Sequence, residues 1–152
     1  MYGRARPVVN EFATGELLYR RHRREDFQNG YILPSALSFP KEGSDSGPSV
    51  NRSLFSRPEH TLWDNRKKLV GLGVYEFPVS RIPETLRCPN TQREFTFFAK
   101  HVPLWNNYAH TELWCDSLPK KNSGFVEPTK EVKKQFRAAI QKYAQPVIPA
   151  EI

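Results

Sequence analysis

His110 and Glu112 stand two residues apart in Asn107-Tyr108-Ala109-His110-Thr111-Glu112-Leu113-Trp114, the chain's strongest chemical signal. An imidazole moves protons near neutral pH, and a neighbouring carboxylate raises its proton affinity. In an extended strand, a period of two puts His110, Glu112 and Trp114 on one face and Ala109, Thr111 and Leu113 on the other. Side chains so spaced stand roughly 6–7 Å apart, close enough to share a ligand. The same spacing fits a polar pair on the solvent side of a half-buried strand. It also fits a packed histidine donating to a backbone carbonyl.

Arg20 and Arg21 come next, in a second candidate strand, Leu17-Leu18-Tyr19-Arg20-Arg21, opened by Gly15. Arginine in an otherwise apolar strand either snorkels at an edge or binds an anion. If sheet pairing sets Arg20 beside His110 and Glu112, the trio suits phosphodiester hydrolysis or nucleotide-dependent transfer. Arg20 would engage phosphate, His110 would act as acid and base, and Glu112 would orient or activate it. Ser35, Ser49 and Ser53 supply hydroxyls, but none sits in a Gly-x-Ser-x-Gly elbow, and such serines ordinarily serve turns and caps. His101, His110 and Glu112 with a water would suit zinc. Nothing holds His101 to the same face, however, and Pro103 marks a strand end, so neither metal nor cofactor is expected. No Walker A loop, dinucleotide fingerprint, zinc-finger spacing or RNA-binding sheet motif occurs.

Charge adds a second theme. The 152 residues carry a formal net charge of +7. Residues 1 to 24 hold six Arg against two Glu, and residues 120 to 142 hold seven Lys or Arg against two Glu. Between them, residues 25 to 119 are near neutral, with ten positive and eleven negative side chains. If the fold joins the two ends, they make a patch suited to RNA or DNA phosphates, an acidic protein or an anionic surface. Candidate phosphate contacts are Arg4, Arg6, Arg21, Arg23 and Arg24 near the start, and Lys130, Lys133, Lys134 and Arg137 near the end. Such residues position a backbone without specifying a sequence, and they equally fit a solvated helix face. Tyr108, Trp105 and Trp114 flank the His-x-Glu segment; Tyr108 and Trp114 are the candidate stacking residues for bases.

These residues need a frame. The length suits one domain, with an arm over about residues 1–12. The hydrophobic fraction is only 38%, but an aromatic share of 12% supplies enough large apolar groups for a core. Residues 40–53, rich in Gly, Ser, Pro and charge, read as a long loop. Ser53 to Arg66 suggests a short helix starting near Pro58. Strands are expected over Lys68–Phe77, Arg93–His101 and Asn107–Cys115, which together resemble an antiparallel meander. The last element is a helix capped by Pro128-Thr129. It carries an apolar stripe of Val132, Phe136, Ala139, Ile140 and Tyr143 and is stopped by Pro146 and Pro149. The expected fold is α+β, a small antiparallel sheet packed against a C-terminal amphipathic helix. Cys88 and Cys115 lack metal-ligand spacing and are expected as buried thiols. No apolar run reaches the roughly 18 residues of a membrane span, and no signal peptide is evident, so a cytoplasmic protein is expected.

The Leu17-Leu18-Tyr19-Arg20-Arg21 and Asn107-Tyr108-Ala109-His110-Thr111-Glu112 segments, ahead of a basic C-terminal stretch, resemble a group of small bacterial proteins of unassigned function. That resemblance implies a recurring His110–Glu112 pattern and brings no activity or fold with it. The sequence supports a small basic accessory or effector protein that binds nucleic acid or a nucleotide. The alternatives are a phosphodiester hydrolase or nucleotide-dependent transferase built on Arg20, His110 and Glu112, and a protein-interaction module using the loop or a sheet edge.

Overall fold

Among the described residues, the stretches around Leu18, Phe97 and Leu113 join one antiparallel sheet of seven strands, with a single α-helix between its last two strands in the chain. The computed structural model describes residues 6–28, 31–64, 66–120 and 123–151. In chain order the strands are β1 (Leu17–His22), β2 (Phe27–Gln28), β3 (Tyr31–Ile32), β4 (Ser49–Arg52), β5 (Trp63–Asp64) and β6 (Lys67–Lys68). They continue with β7 (Gly73–Pro78), β8 (Thr85–Arg87), β9 (Glu94–His101), β10 (His110–Ser117) and β11 (Gln145–Ile148). The spatial order of the main sheet is β11-β7-β1-β4-β10-β9-β8, while β2–β3 and β5–β6 form separate two-stranded ribbons. The α+β class expected from the sequence is the observed one.

Two expectations change. The stretch from 68 to 115 is not a meander, because β1 and β4 lie between β7 and β10. All six residues of β1 pair with β7, from Leu17 opposite Pro78 to His22 opposite Gly73. The 40–53 loop ends in β4, a central strand flanked by β1 and β10. Its sequence, Ser-Val-Asn-Arg, shows no alternation because Val50, Asn51 and Arg52 are all buried. A strand covered on both sides loses the polar–apolar period that would reveal it.

The helix α1 (Lys130–Gln141) begins where Thr129 Oγ1 accepts a hydrogen bond from the Val132 N–H at 3.4 Å. Val132, Phe136 and Ile140 recur at helical spacing and are buried. Phe136 meets Phe97 of β9 and Phe39 at ring separations of 4.6 and 5.4 Å. Helix and sheet therefore close around an aromatic core, and truncating such a residue costs about 3–5 kcal/mol. Cys88 and Cys115 are both buried and free. No helix among the described residues is long and apolar enough to cross a membrane.

Among the described residues, Arg52 of β4 is the largest fully buried side chain, and its charge is fully met. Its Nε and Nη2 donate to the two carboxylate oxygens of Glu16 at 2.8 and 3.0 Å. Nη1 donates to the Val9 carbonyl, and Nη2 also reaches the Glu11 carbonyl at 2.8 Å. Phe12 and Phe55 lie on the guanidinium, 4.1 and 4.7 Å from ring centre to Cζ. The segment before β1 is thus fastened across the sheet. Its Pro7 carbonyl accepts from the Tyr108 hydroxyl, and Val9 N–H donates to His101 Nδ1 at 2.9 Å.

Burial opposes ionisation of Glu16, but the hydrogen bonds and charge of Arg52, with the Ala13 N–H, outweigh it. They hold the carboxyl below its usual 4.5. A lowered folded value means that this carboxylate stabilises the fold fully above pH 4.5 and progressively less as the pH falls through that lowered value. Arg52→Ala leaves a buried, unpaired carboxylate and is expected to cost about 3–5 kcal/mol in urea unfolding at neutral pH. Glu16→Gln is expected to flatten the loss of stability with acid below pH 4.5. A cost under about 1 kcal/mol for Arg52→Ala would show that the pair is not the clamp described.

Candidate functional site

β1 and β4 pair only at Leu18–Arg52 and Tyr19–Asn51. No pair joins the two strands beyond Tyr19, and residues of both line a cleft of about 1000 Å3. β1 supplies Arg20 and Arg21, β4 supplies Ser49 and Asn51, and β10 supplies His110. The other wall is the 3₁₀ turn Pro58–Leu62 with β5, contributing Thr61, Trp63 and Asp64. Arg6, from the segment clamped by Arg52, His60 of the 3₁₀ turn, and Tyr108, from the β9–β10 connection, also line the cleft.

Arg20 crosses the gap left by the missing pairing. Its Nη1 donates to the Ser49 carbonyl at 2.7 Å, and its Nε donates to the Ala36 carbonyl at 2.8 Å. A guanidinium thus does the work of an absent strand partner for Ser49. The same Ala36 carbonyl accepts from the Tyr75 hydroxyl at 3.2 Å, and burial pushes that phenol up to about 12. Asn51 is held on both sides: its Oδ1 accepts from Asn107 at 2.8 Å and its Nδ2 donates to Thr61 at 3.3 Å.

His110 opens β10 and is bracketed by Val102, the residue after β9. The Val102 N–H donates to the His110 carbonyl at 3.0 Å, and His110 Nδ1 faces the Val102 carbonyl at 2.8 Å. A carbonyl can only accept, so Nδ1 carries the proton and Nε2 of the neutral ring is an acceptor. Nε2 lies 3.1 Å from Ser49 Oγ, which donates to it.

The expected trio is only partly assembled. Arg20 and His110 come together through the two polar groups of Ser49, but Glu112 does not join them. Its side chain is buried and its Oε1 accepts from the Gly47 N–H at 3.1 Å. Gly47 runs so close to β10 that a Cβ there would collide with the Leu113 carbonyl. That approach offers Glu112 a fixed N–H, while the orienting position on His110 is taken by Val102. The role expected for Glu112 as partner of His110 is therefore corrected. His101, weighed with them for zinc, uses Nδ1 for the Val9 N–H and Nε2 for the Tyr108 carbonyl at 2.7 Å.

The basic residues divide similarly. Arg6 and Arg21 line the cleft with Arg20, whereas Arg23 pairs with Glu25 and Asp26 at 3.3 and 3.1 Å. Arg24 is exposed outside the cleft lining, and Arg4 lies outside the described residues. On the helix, Lys133 pairs with Glu127 at 2.6 Å and Arg137 donates to the Leu37 carbonyl at 3.0 Å. Burial lowers the Arg137 value, and Phe39 lies 5.4 Å beneath its guanidinium. Lys130 and Lys134 stay exposed, and none of the four helical cations lines the cleft. Three arginines there face a single lining carboxylate, Asp64.

No protein-family model, curated protein or solved structure matches this chain.

Among the expected stacking residues, Tyr108 lines the cleft, with Arg6 4.9 Å above its ring. Trp114 is buried against Phe125 at 5.5 Å, with Lys100 over it at 4.6 Å, and does not line the cleft. Trp63 takes the open position instead, lining the cleft while 47% exposed. Ser49, Asn51 and Trp63 are the site residues that sequence inspection passes over. Only Ser49 had a signal, as a hydroxyl of unassigned use.

The His110 geometry makes a spectroscopic prediction. Long-range ¹H–¹⁵N correlation spectra of the neutral ring are expected to show the proton on Nδ1. Glu112→Gln, which keeps an oxygen for the Gly47 N–H, is expected to leave that pattern unchanged, and Ser49→Ala to shift the Nε2 resonance. A proton on Nε2 would contradict the bond to Val102.

Proposed function

We propose that the cleft binds a nucleotide, either free or as one unit of single-stranded nucleic acid. The observation that carries this reading is the convergence of Arg6, Arg20 and Arg21 with the half-exposed Trp63 around one cavity. Guanidinium groups match phosphate oxygens in charge and planar geometry. An accessible indole offers a face for a base, which stacks for about 1–3 kcal/mol. A volume of about 1000 Å3 accommodates such a ligand. Asn51, held by Asn107 and Thr61, presents a rigid polar wall to the base or sugar. The basic C-terminal helix, whose Lys133 and Arg137 are already committed to the fold, is peripheral to this reading.

Titration of the protein with AMP, ATP and short single-stranded RNA, read by tryptophan fluorescence, tests it. Quenching is expected, and Trp63→Leu is expected to remove it while Trp105→Leu does not. Arg21→Gln removes one charge-assisted phosphate contact and is expected to weaken binding about tenfold. Paired substitution of Lys130 and Lys134 by Gln is expected to change affinity less than twofold. For single-stranded RNA, three phosphate contacts give a log–log salt slope of about −2. Binding that ignores salt, or that follows the helical lysines instead of Arg21, overturns the assignment of the cleft.

A further inference from the structure

Ser49, Arg20 and His110 form a more specific arrangement than binding requires. Ser49 is exposed at the cleft, and its Oγ lies 3.1 Å from His110 Nε2. The Val102 carbonyl fixes the ring so that Nε2 is the acceptor. A nucleophile, a base and a group orienting the base are thus in line, with a backbone carbonyl in the third role. The competing anion has been removed: Glu112, opposite Ser49 in the sheet register, is buried on the Gly47 N–H. Arg20 holds Ser49 by its carbonyl with one of five N–H donors and spends a second on Ala36. Arg21 makes no ion pair among the described residues. Arg20 Nη2 and the Arg21 guanidinium make no hydrogen bond among the described residues, and both arginines line the cleft with Ser49.

We propose that Ser49 is a nucleophile, activated by His110, that attacks the phosphorus of a phosphate ester held by Arg20 and Arg21. This rests on the reading of the cleft as a site for phosphorylated ligands and names the chemistry done there. In the first step Ser49 Oγ bonds to phosphorus and its proton passes to His110 Nε2. The ester oxygen leaves on the opposite side of phosphorus and takes a proton from solvent as an alcohol, and a phosphoserine remains beside protonated His110. In the second step water attacks phosphorus from the side the alcohol vacated and loses its proton to solvent. Ser49 Oγ departs and recovers the proton held by His110, so the net reaction is hydrolysis of the ester. No redox partner is needed, and the arginines neutralise charge on the phosphoryl oxygens as it transfers.

Diisopropyl fluorophosphate tests the nucleophile directly, because attack forms a serine–phosphorus bond and expels fluoride. Peptide mapping by mass spectrometry is expected to place the adduct on Ser49, with Ser46 of the same segment left unlabelled. His110→Gln is expected to slow labelling at least 100-fold, as loss of a general base does. On the unsubstituted protein, the labelling rate should follow deprotonation of the His110 ring observed by NMR, which tests the same step without a variant. With p-nitrophenyl esters, turnover of the phosphate and not of the acetate is expected. Labelling that spreads equally to Ser46, or that is indifferent to His110, overturns the proposal. Turnover of the acetate alone overturns the substrate class. Nucleotide binding by unsubstituted protein that never labels at Ser49 sinks the nucleophile and spares the binding reading. Labelling without nucleotide binding does the reverse.

Discussion

A fully buried guanidinium in the middle of a sheet is tolerable only if every face and donor is satisfied, and the chain is arranged around meeting that demand for Arg52. Leaving such a charge in an apolar interior costs several kcal/mol. Glu16 answers the charge, the Val9 and Glu11 carbonyls answer the remaining donors, and Phe12 and Phe55 cover the planar faces. Those partners come from both sides of β4 in the sequence, so satisfying one side chain folds the N-terminal segment across the sheet. Hydrophobic burial drives the collapse of helix onto sheet, whereas this clamp decides where the start of the chain goes.

The cleft inherits that decision. Once Val9 and Glu11 are fixed, Arg6 falls over the Tyr108 ring and becomes part of the rim. The same strand that carries Arg52 carries Ser49 three residues earlier, where pairing with β1 has already ended. β4 is therefore anchored at one end by a buried ion pair and open at the other, where Arg20 reaches over to hold it. Rigidity at Arg52 and a gap at Ser49 are two ends of one four-residue strand. This is the arrangement a binding site favours, with polar groups projecting from a fixed element into a space the backbone does not fill.

Much of this was legible in the residues. The helix announced itself through Thr129 and the Val132–Phe136–Ile140 stripe, because one face meets water and the other does not. β9 showed alternation for the same reason, with Phe95 and Phe97 buried between exposed Glu94, Thr96 and Phe98, whereas β10 is buried on both faces from Thr111 to Cys115. β4 was hidden because its buried positions include an asparagine and an arginine, whose burial depends on partners distant in sequence. β11 was hidden because Pro146 and Pro149 argue against a strand unless its edge position is known. At the site, Arg20 and His110 could be singled out by type. Their link through Ser49 could not, since it depends on β4 lying between β1 and β10. Glu112 was misassigned because spacing along one strand says nothing about a glycine loop that approaches from outside. Trp114, expected to stack, is buried, and Trp63 stands in the cleft instead, for a related reason: exposure is set by what packs across a residue, not by its neighbours in the chain.

The two margins of the sheet also govern how another molecule can engage it. β11 presents Pro146, which has no N–H to offer, and its register slips before Ile148. β8, at the opposite margin, is only three residues long and carries Arg87 bound to Glu94. Short, charged or proline-bearing margins discourage an incoming strand from extending the ladder. Recognition by strand addition is thereby disfavoured on either side, and so is stacking of copies edge to edge. At these margins another molecule meets side chains before ladder backbone, and on the reading proposed for the cleft selectivity falls to the few groups standing where β1 and β4 diverge.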